Sequence, residues 1–163
     1  MPAQVQPVRR ARNEKGHAVV ELAMTIPVLL ALCLGAADFG RVFHHAIALT
    51  GAADAGAAFG SLRTVHSSMF DDMEETAAET AADVSATATL TPEAEQYCDC
   101  PDAPATGPND ANCVDCITGS CGSYGNPRVY VRVRVQEQFS TFAQYPGIDR
   151  SLRLSPAVHR RVQ

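Results

Sequence analysis

The chain has 163 residues, of which 46% are hydrophobic and 19% are charged, and its formal net charge is −5. This length favours a single domain over a multi-domain enzyme. Nucleic-acid binding has no electrostatic support, because the chain carries no basic excess. The charges are unevenly placed: basic residues precede the one long apolar run, the middle of the chain is acidic, and seven arginines follow position 127.

A predicted transmembrane segment extends from Ala18 to Ala37 and includes one charged residue, Glu21. At about 1.5 Å per residue, about 20 apolar residues cross a hydrocarbon layer of roughly 30 Å. Four basic residues precede the run: Arg9, Arg10, Arg12 and Lys15. The positive-inside rule then keeps the N-terminus in the cytoplasm and exports everything after Asp38. This predicts a single-pass protein of the inner membrane, in contact with lipid, whose C-terminal domain is extracytoplasmic.

A secretory signal peptide is the alternative for the same segment. The small residues Gly35 and Ala37 supply a cleavage site before Asp38. In that hypothesis the protein is a secreted or membrane-anchored, disulfide-rich binding domain released by signal peptidase. The length of the apolar run, and Glu21 within it, favour the membrane anchor.

Glu21 is the informative residue of the apolar run, because a charge at the centre of a bilayer costs roughly 2.5–3.5 kcal/mol. It lies five positions after Gly16, and this spacing, with the basic leader and the apolar run, resembles a class III (type IV-like) prepilin signal. The resemblance implies that a prepilin peptidase cuts after Gly16 and leaves His17 as the new N-terminus. It also implies that Glu21 pairs with an N-terminal amine during assembly, which makes its burial tolerable. The other explanation is that Glu21 snorkels to the cytoplasmic interface.

The helical pattern continues beyond the apolar run. Apolar and small residues recur at steps of three and four and predict one helix face: Phe39, Val42, Phe43, Ala46, Leu49, Ala53, Gly56 and Gly60. Asp38, Arg41 and His45 are expected on the other side of this helix. The pattern leaves two alternatives for the C-terminal end of this helix: it continues to about Leu62, or it stops near Gly51 because the glycines weaken it.

Two features modify this long helix. Pro27 removes one backbone hydrogen bond and is expected to kink or locally melt it. Gly56 and Gly60 have the small-xxx-small spacing that permits close approach of another helix.

The same region resembles the TadE-like family of minor pseudopilins of the tight-adherence (Tad, Flp) pilus machinery. The resemblance is carried by residues 15–23, by Pro27, by Gly35-Ala36-Ala37-Asp38-Phe39-Gly40-Arg41, and by the stretch from Ala46 to Gly60. It implies a non-enzymatic component of pilus biogenesis and surface adhesion, possessing no cofactor. The implied partners are other pilin-like subunits and Tad inner-membrane assembly proteins. Leu22 stands where major Flp pilins have Tyr, and the chain is much longer than a major pilin, which favours a minor component.

The rest of the chain predicts a small exported domain. A second amphipathic helix of about 15 residues is marked by Met69, Phe70, Met73, Ala77, Ala81 and Val84. A strand containing Thr87, Thr89 and Thr91 is expected to stop at Pro92. The strict alternation from Arg128 to Val135 predicts a strand with its valines on one face. A last strand is expected from Ser151 to Val162, limited to a sheet edge by Pro156.

These elements predict an α+β fold: a long N-terminal transmembrane helix followed by a small pilin-like domain with an antiparallel sheet and a disulfide-rich loop. The predicted divisions are a leader at 1–16, a transmembrane and extended helix at 17–62, and an exported domain at 63–163. The cysteine-rich loop is placed at 93–127.

Five cysteines fall in this loop: Cys98, Cys100, Cys113, Cys116 and Cys121. Disulfides are the expected chemistry in an oxidising compartment, and five cysteines allow two bridges with one left over. Cys98 and Cys100 are too close to pair with each other, so each is expected to bond one of the later three. Cys33, in the apolar run, is expected to remain unpaired.

Metal binding is the alternative chemistry for this loop. The five thiols would suffice for zinc, but an exported site would oxidise before it bound the metal. A calcium site at Asp102, Asp110 and Asp115 lacks a recognised loop spacing. No metal site is therefore predicted, and no arrangement of the five histidines repeats a known catalytic motif.

Overall fold

The computed structural model describes residues 15–82, 90–145 and 147–163. The leader up to residue 14, the predicted helix end at Val84 and the predicted strand start at Thr87 and Thr89 lie outside the described residues. The chain divides into two compact units, Met1–Ala37 and Asp38–Gln163. One helix, α1 (Lys15–Ser61), contributes residues to both units.

In the first unit, α1 is apolar and exposed. The side chains of residues 16–34 are all exposed, among them Val20, Leu29 and Leu32. Pro27 lies inside α1 and does not interrupt it. Continuity through Pro27 means that the expected local melting does not occur.

In the second unit, α1 packs by part of the predicted face, because Leu49, Ala53, Gly56 and Gly60 are buried as predicted. Leu49, Ala52, Ala53 and Ala57 are fully buried, and the helix continues to Ser61. The alternative end near Gly51 is therefore wrong. The placement of Phe39 and Phe43 on the inner face is also wrong, because both side chains are mostly exposed. Asp38, Arg41 and His45 lie on the inward face instead, where polar partners from distant parts of the chain meet them.

The second helix, α2 (Phe70–Ala82), follows a short 3₁₀ turn at His66–Ser68. Its buried residues Met73, Ala77 and Ala81 recur every fourth position, which confirms the predicted inner face at these three positions. Met69 and Phe70, predicted on the same face, are exposed. Asp71 and Asp72 lie in its first turn, where negative charge interacts favourably with the helix dipole.

The sheet is antiparallel and has β2 (Arg128–Ser140) at its centre. On one edge lies β1 (Thr91–Asp99), paired along its whole length with β2. The other edge is formed by β3 (Ser151–Leu154) and β4 (Ala157–Arg161), which pair with successive parts of β2. The α+β class with an antiparallel sheet and a disulfide-rich loop is confirmed.

Two strand predictions need correction. Pro92 does not stop a strand, because it lies within β1 opposite Val135. The N–H of Ala94, two residues later, points away from β2 and donates to Glu74 at 2.9 Å, so the position of Pro92 faces away from β2 as well and costs no ladder bond. The cysteine-rich loop therefore begins after Asp99 and not at residue 93. The predicted strand at 151–162 is divided at Pro156 into β3 and β4.

The core of the second unit lies between the two helices and the inner face of β2. Val131, Val133 and Val135 are fully buried, as the alternation predicted, and they pack with Leu49 and Met73. Each such side chain contributes about 1.5–3 kcal/mol by leaving water.

The glycines of α1 provide a matched test of this packing. A Cβ on Gly56 would lie 2.6 Å from the carbonyl oxygen of Met73 and 3.3 Å from Val133, whereas a Cβ on Gly51 meets nothing within 4 Å. We expect Gly56→Ala to destabilise the protein by about 1–3 kcal/mol through overpacking. We expect Gly51→Ala to stabilise it by up to about 1 kcal/mol through helix propensity. Denaturant unfolding of both variants measures the difference, and equal effects would contradict the close approach.

Candidate functional site

The predicted processing site lies at the start of α1. Gly16 and His17 are helical and exposed, and Glu21 is exposed one turn after His17. Residues four apart lie on the same helix face. An amine created at His17 would therefore share a face with Glu21. The cleavage and the pairing remain predictions.

The apolar run meets the requirements of a membrane span by length and composition. An 18-residue window of this helix has a mean hydropathy of 2.2, and none of it is buried. Among the described residues α1 is the one helix with these properties. The run is thus consistent with a single-pass anchor or a signal segment.

A buried carboxylate follows the apolar run directly. Asp38 is 3% exposed and accepts hydrogen bonds from the backbone N–H of Phe142 at 3.0 Å and of Ala143 at 3.4 Å. The hydroxyl of Tyr145 donates to it at 2.9 Å, and Arg41 pairs with it at 3.4 Å. These contacts hold the segment after β2 against α1.

The same contacts shift the pKa values of Asp38 and Tyr145. The N–H of Phe142 lowers the pKa of Asp38 most; desolvation opposes this shift, and Tyr145, Ala143 and Arg41 lower it further. Desolvation, followed by the bond to this carboxylate, raises the pKa of Tyr145. Asp38 is therefore held as an anion that accepts several donors at once.

Two further residues of α1 extend this contact. The guanidinium of Arg41 lies 3.9 Å from the ring centroid of Phe142 and 4.9 Å from that of Phe139. One turn later, His45 Nδ1 lies 3.1 Å from both carboxylate oxygens of Glu137, whose side chain is 2% exposed. We call Asp38, Arg41 and His45 the helix clamp, since their spacing of three and four places them on one face of α1.

The clamp predicts a specific pH dependence of stability. Because the folded pKa of Asp38 lies below its usual 3.8, the stability that it contributes is complete above the unfolded pKa and is lost as the pH falls through the folded pKa. We expect wild-type protein in detergent to unfold at a higher temperature than Asp38→Asn above about pH 5. The difference in unfolding temperature between the two proteins should narrow below about pH 4. Thermal unfolding followed by circular dichroism measures it.

Asp54→Asn is the matched control for this prediction. Asp54 makes an exposed ion pair with Arg160 at 2.8 Å, and such pairs contribute about 0–1 kcal/mol. Its loss should change the unfolding temperature little. A gap between wild type and Asp38→Asn that stays constant down to about pH 2 would contradict the role of the carboxylate.

The cysteine-rich loop contains two disulfides, Cys98–Cys116 and Cys100–Cys121. Cys113 is unpaired and half-buried, with Sγ 3.2 Å from the carbonyl oxygen of Gly107, and Cys33 is unpaired and exposed. The sequence left open six arrangements in which Cys98 and Cys100 bond different later cysteines, and the structure has the one that leaves Cys113 unpaired.

A buried ion pair joins the two ends of this loop. Asp99 lies between the two bridged cysteines, is 1% exposed, and accepts from Arg128 Nε at 2.8 Å and from the N–H of Ala105 at 2.9 Å. Arg128 also donates to the carbonyl oxygen of Cys100 at 3.1 Å, and the hydrogen bond to Asp99 raises its pKa. The ion pair thus fixes the beginning of the loop to the beginning of β2.

Two of the three aspartates considered for calcium, Asp110 and Asp115, accept hydrogen bonds from backbone N–H groups in turns of the loop. The backbone N–H of Asn112 donates to Asp110 and lowers its pKa most, and the hydroxyl and the N–H of Thr106 lower it further. Asp115 accepts from Ile117 and Thr118, and these bonds lower its pKa. Both carboxylates serve local hydrogen bonding within the loop.

Comparison with models of known protein families gives a match in α1. Residues 16–58 match the family model described as TadE-like protein. These residues form a TadE-like domain. No curated protein matches the chain, and no solved structure does. The family indicates a component of Tad pilus assembly, and TadE-like, pilin-like proteins are generally structural components and not enzymes.

The TadE-like domain covers about a quarter of the chain and contains Gly16, Glu21 and the whole helix clamp. The clamp was missed as a site by the sequence analysis. Its partners Glu137, Phe142 and Tyr145 lie outside the domain, far along the chain. The available signal was the three-four spacing of polar residues directly after an apolar run. Asp99 was missed as well, and no signal in its neighbourhood distinguished it from the other aspartates.

Proposed function

We propose that this protein is a minor pseudopilin of a Tad-type (type IV-like, Flp) pilus, acting in pilus biogenesis and surface adhesion. The proposal rests on the TadE-like match at residues 16–58, which contains the exposed apolar part of α1. Its proposed partners are the prepilin peptidase, other pilin-like subunits and Tad inner-membrane assembly proteins.

In this proposal the apolar run crosses the inner membrane once, with the basic leader in the cytoplasm. The leader up to Gly16 has a net charge of +3, so its removal deletes the groups that anchor the helix on the cytoplasmic side. The remaining chain carries −8. A helix without these anchors can move from lipid into the apolar interior of a pilus.

The proposed export of the second unit agrees with its chemistry. Disulfides persist in oxidising compartments outside the cytoplasm, and this unit carries two. They brace a loop of more than 25 residues that has one short 3₁₀ turn, Gly122–Tyr124, as regular structure. The braced loop is the surface that we propose for contacts outside the membrane.

One observation favours the alternative of an exported binding domain that is not part of a pilus. The second compact unit begins at Asp38, which is the residue that a signal peptidase cut after Ala37 would expose. In that case α1 would lose the apolar run, and the rest of the chain would be released as a soluble binding domain.

Mass spectrometry of the mature N-terminus distinguishes the two hypotheses. The pseudopilin hypothesis predicts a product that starts at His17, and Gly16→Leu should abolish this cut. Ala37→Leu is the matched control, because it blocks a signal peptidase site and should leave the cut at Gly16 unchanged. A product that starts at Asp38 would contradict the proposal, and so would a full-length product that retains the leader.

A further inference from the structure

Exposed apolar side chains lie close to the helix clamp, at the start of the second unit. Asp38 is the first residue after the apolar run, and it binds the backbone N–H of Phe142 directly. Tyr145 donates to the same carboxylate, and the N–H of Ile148 donates to the Tyr145 carbonyl oxygen at 3.2 Å. Phe142 is therefore held beside Asp38, and Ile148 lies in the turn that follows Tyr145.

Large apolar side chains near the helix clamp are exposed to solvent. Phe142 is 63% exposed, Ile148 is 52% exposed, and Phe39 on α1 is 72% exposed. Single exposed apolar residues are ordinary, but several of them around one level need an apolar environment. We call these three residues the apolar collar.

Cationic groups accompany the apolar collar. The Arg41 guanidinium stacks on the Phe142 ring at 3.9 Å, and its side chain is 38% exposed. The carbonyl oxygen of Arg150 accepts the N–H of Thr141 at 3.0 Å, which places this exposed arginine next to Phe142 in the fold. Asp149 is its exposed acidic neighbour. Exposed Phe and aliphatic side chains next to arginines are typical of surfaces that lie in the membrane–water interface, where the apolar groups enter the boundary of headgroups and acyl chains and the guanidinium groups reach the phosphates.

Distances along α1 agree with that location. Phe39 follows Ala37 by two residues, which is about 3 Å of helix rise. The headgroup region adds roughly 5–7 Å on each side of the hydrocarbon layer. A residue this close to the end of a membrane span lies within the headgroup region.

We propose that the apolar collar, with Arg41 and Arg150, contacts the phospholipid of the membrane surface from which α1 emerges. The partner is the lipid headgroup and the upper acyl chain, not another protein. The proposal rests on the proposed membrane insertion of α1. Contact with lipid at Phe142 would hold the exported unit against the membrane until the subunit is extracted.

The chain contains no tryptophan, so one introduced tryptophan reports on one position. Full-length Phe142→Trp protein is reconstituted in vesicles of phosphatidylglycerol and phosphatidylcholine, with and without lipids brominated near the headgroup or deep in the acyl chain. Tryptophan keeps the stacking with Arg41, and the bond to Asp38 uses only the backbone of residue 142. Ile148→Trp is a second reporter in case the first variant is unstable.

Two control reporters calibrate the experiment. Leu30→Trp lies in the apolar run, and Tyr124→Trp replaces a residue of the cysteine-rich loop that is 60% exposed. We expect headgroup-level bromine to quench Phe142→Trp at least about twofold more strongly than Tyr124→Trp. Deep bromine should quench Leu30→Trp most.

Each outcome has a distinct meaning. If Leu30→Trp is not quenched, the proposed membrane insertion fails and the collar proposal falls with it. If Leu30→Trp is quenched but Phe142→Trp and Ile148→Trp behave as Tyr124→Trp does, the collar proposal alone is wrong. The tryptophan emission of Phe142→Trp could also be blue-shifted without being quenched by bromine, and the shift could disappear on dilution into excess lipid. That result would show that a second copy covers the collar, and it would overturn contact with lipid.

Discussion

Replacement of Glu21 by alanine is expected to leave the cut after Gly16 intact and to prevent incorporation of the subunit into pilus material. In the pseudopilin hypothesis, Glu21 neutralises an N-terminal amine that would otherwise be unpaired in an apolar environment. An unpaired charge there costs roughly 3 kcal/mol, which corresponds to about a hundredfold in an assembly equilibrium. Immunoblotting of sheared pili against whole cells measures the incorporated fraction, and mass spectrometry verifies the cut.

Thr25→Ala is the control for this experiment. Thr25 lies one turn after Glu21 on the same face of α1, and its hydroxyl donates to the carbonyl oxygen of Leu22 at 3.1 Å. The substitution removes a polar group from the same helix face without removing a charge, and it should leave incorporation near the wild-type level. Normal incorporation of Glu21→Ala would eliminate the charge-pairing explanation and favour a snorkelling side chain.

Removal of the Cys100–Cys121 disulfide is expected to cost about 3 kcal/mol of unfolding free energy. The bridge closes a segment with a sequence separation of 21, and the cost follows from the conformational entropy that the unfolded chain regains. Helices and strands contribute little stability here, because most of the segment is irregular. Denaturant unfolding of the double variant Cys100→Ser with Cys121→Ser measures the loss.

Cys113→Ser is the matched single-cysteine control. Cys113 is unpaired, so its replacement should change the unfolding free energy by only about 0.5 kcal/mol. Under reducing conditions wild type should approach a variant that lacks both bridges. A large effect of Cys113→Ser, or none of the double variant, would show that the cysteines pair differently.

Local patterns were sufficient for the buried faces of α2 and β2 and for the apolar run of α1. The alternation from Arg128 to Val135 predicted β2 and its buried valines, since side chains of a strand alternate between faces. The four-residue spacing of Met73, Ala77 and Ala81 predicted the inner face of α2. The apolar run and the TadE-like resemblance were likewise available from α1, because the residues that carry them are neighbours in sequence.

Local patterns failed where the partners are distant. Phe39 and Phe43 were assigned to the buried face of α1 because they are apolar. The segment after β2 instead presents donors to Asp38, and Glu137 of β2 presents a carboxylate to His45, so the polar face turns inward. Pro92 was expected to end a strand. In the structure, the N–H of Ala94 donates to Glu74 of α2, so this edge of β1 does not pair with β2, and a proline on the same edge removes no bond of the sheet.

The sequence by itself determined the apolar run, the position of Gly16 and Glu21, the α+β class and a cysteine-rich loop, because each depends on residue type and short-range spacing. Only the tertiary structure decided which cysteines pair, since five thiols within 24 positions permit several pairings that differ in geometry alone. It also decided that Asp38 binds residues more than 100 positions away. The net charge of −5 does not predict this contact, because the energy of a buried carboxylate depends on the donors that the fold brings to it.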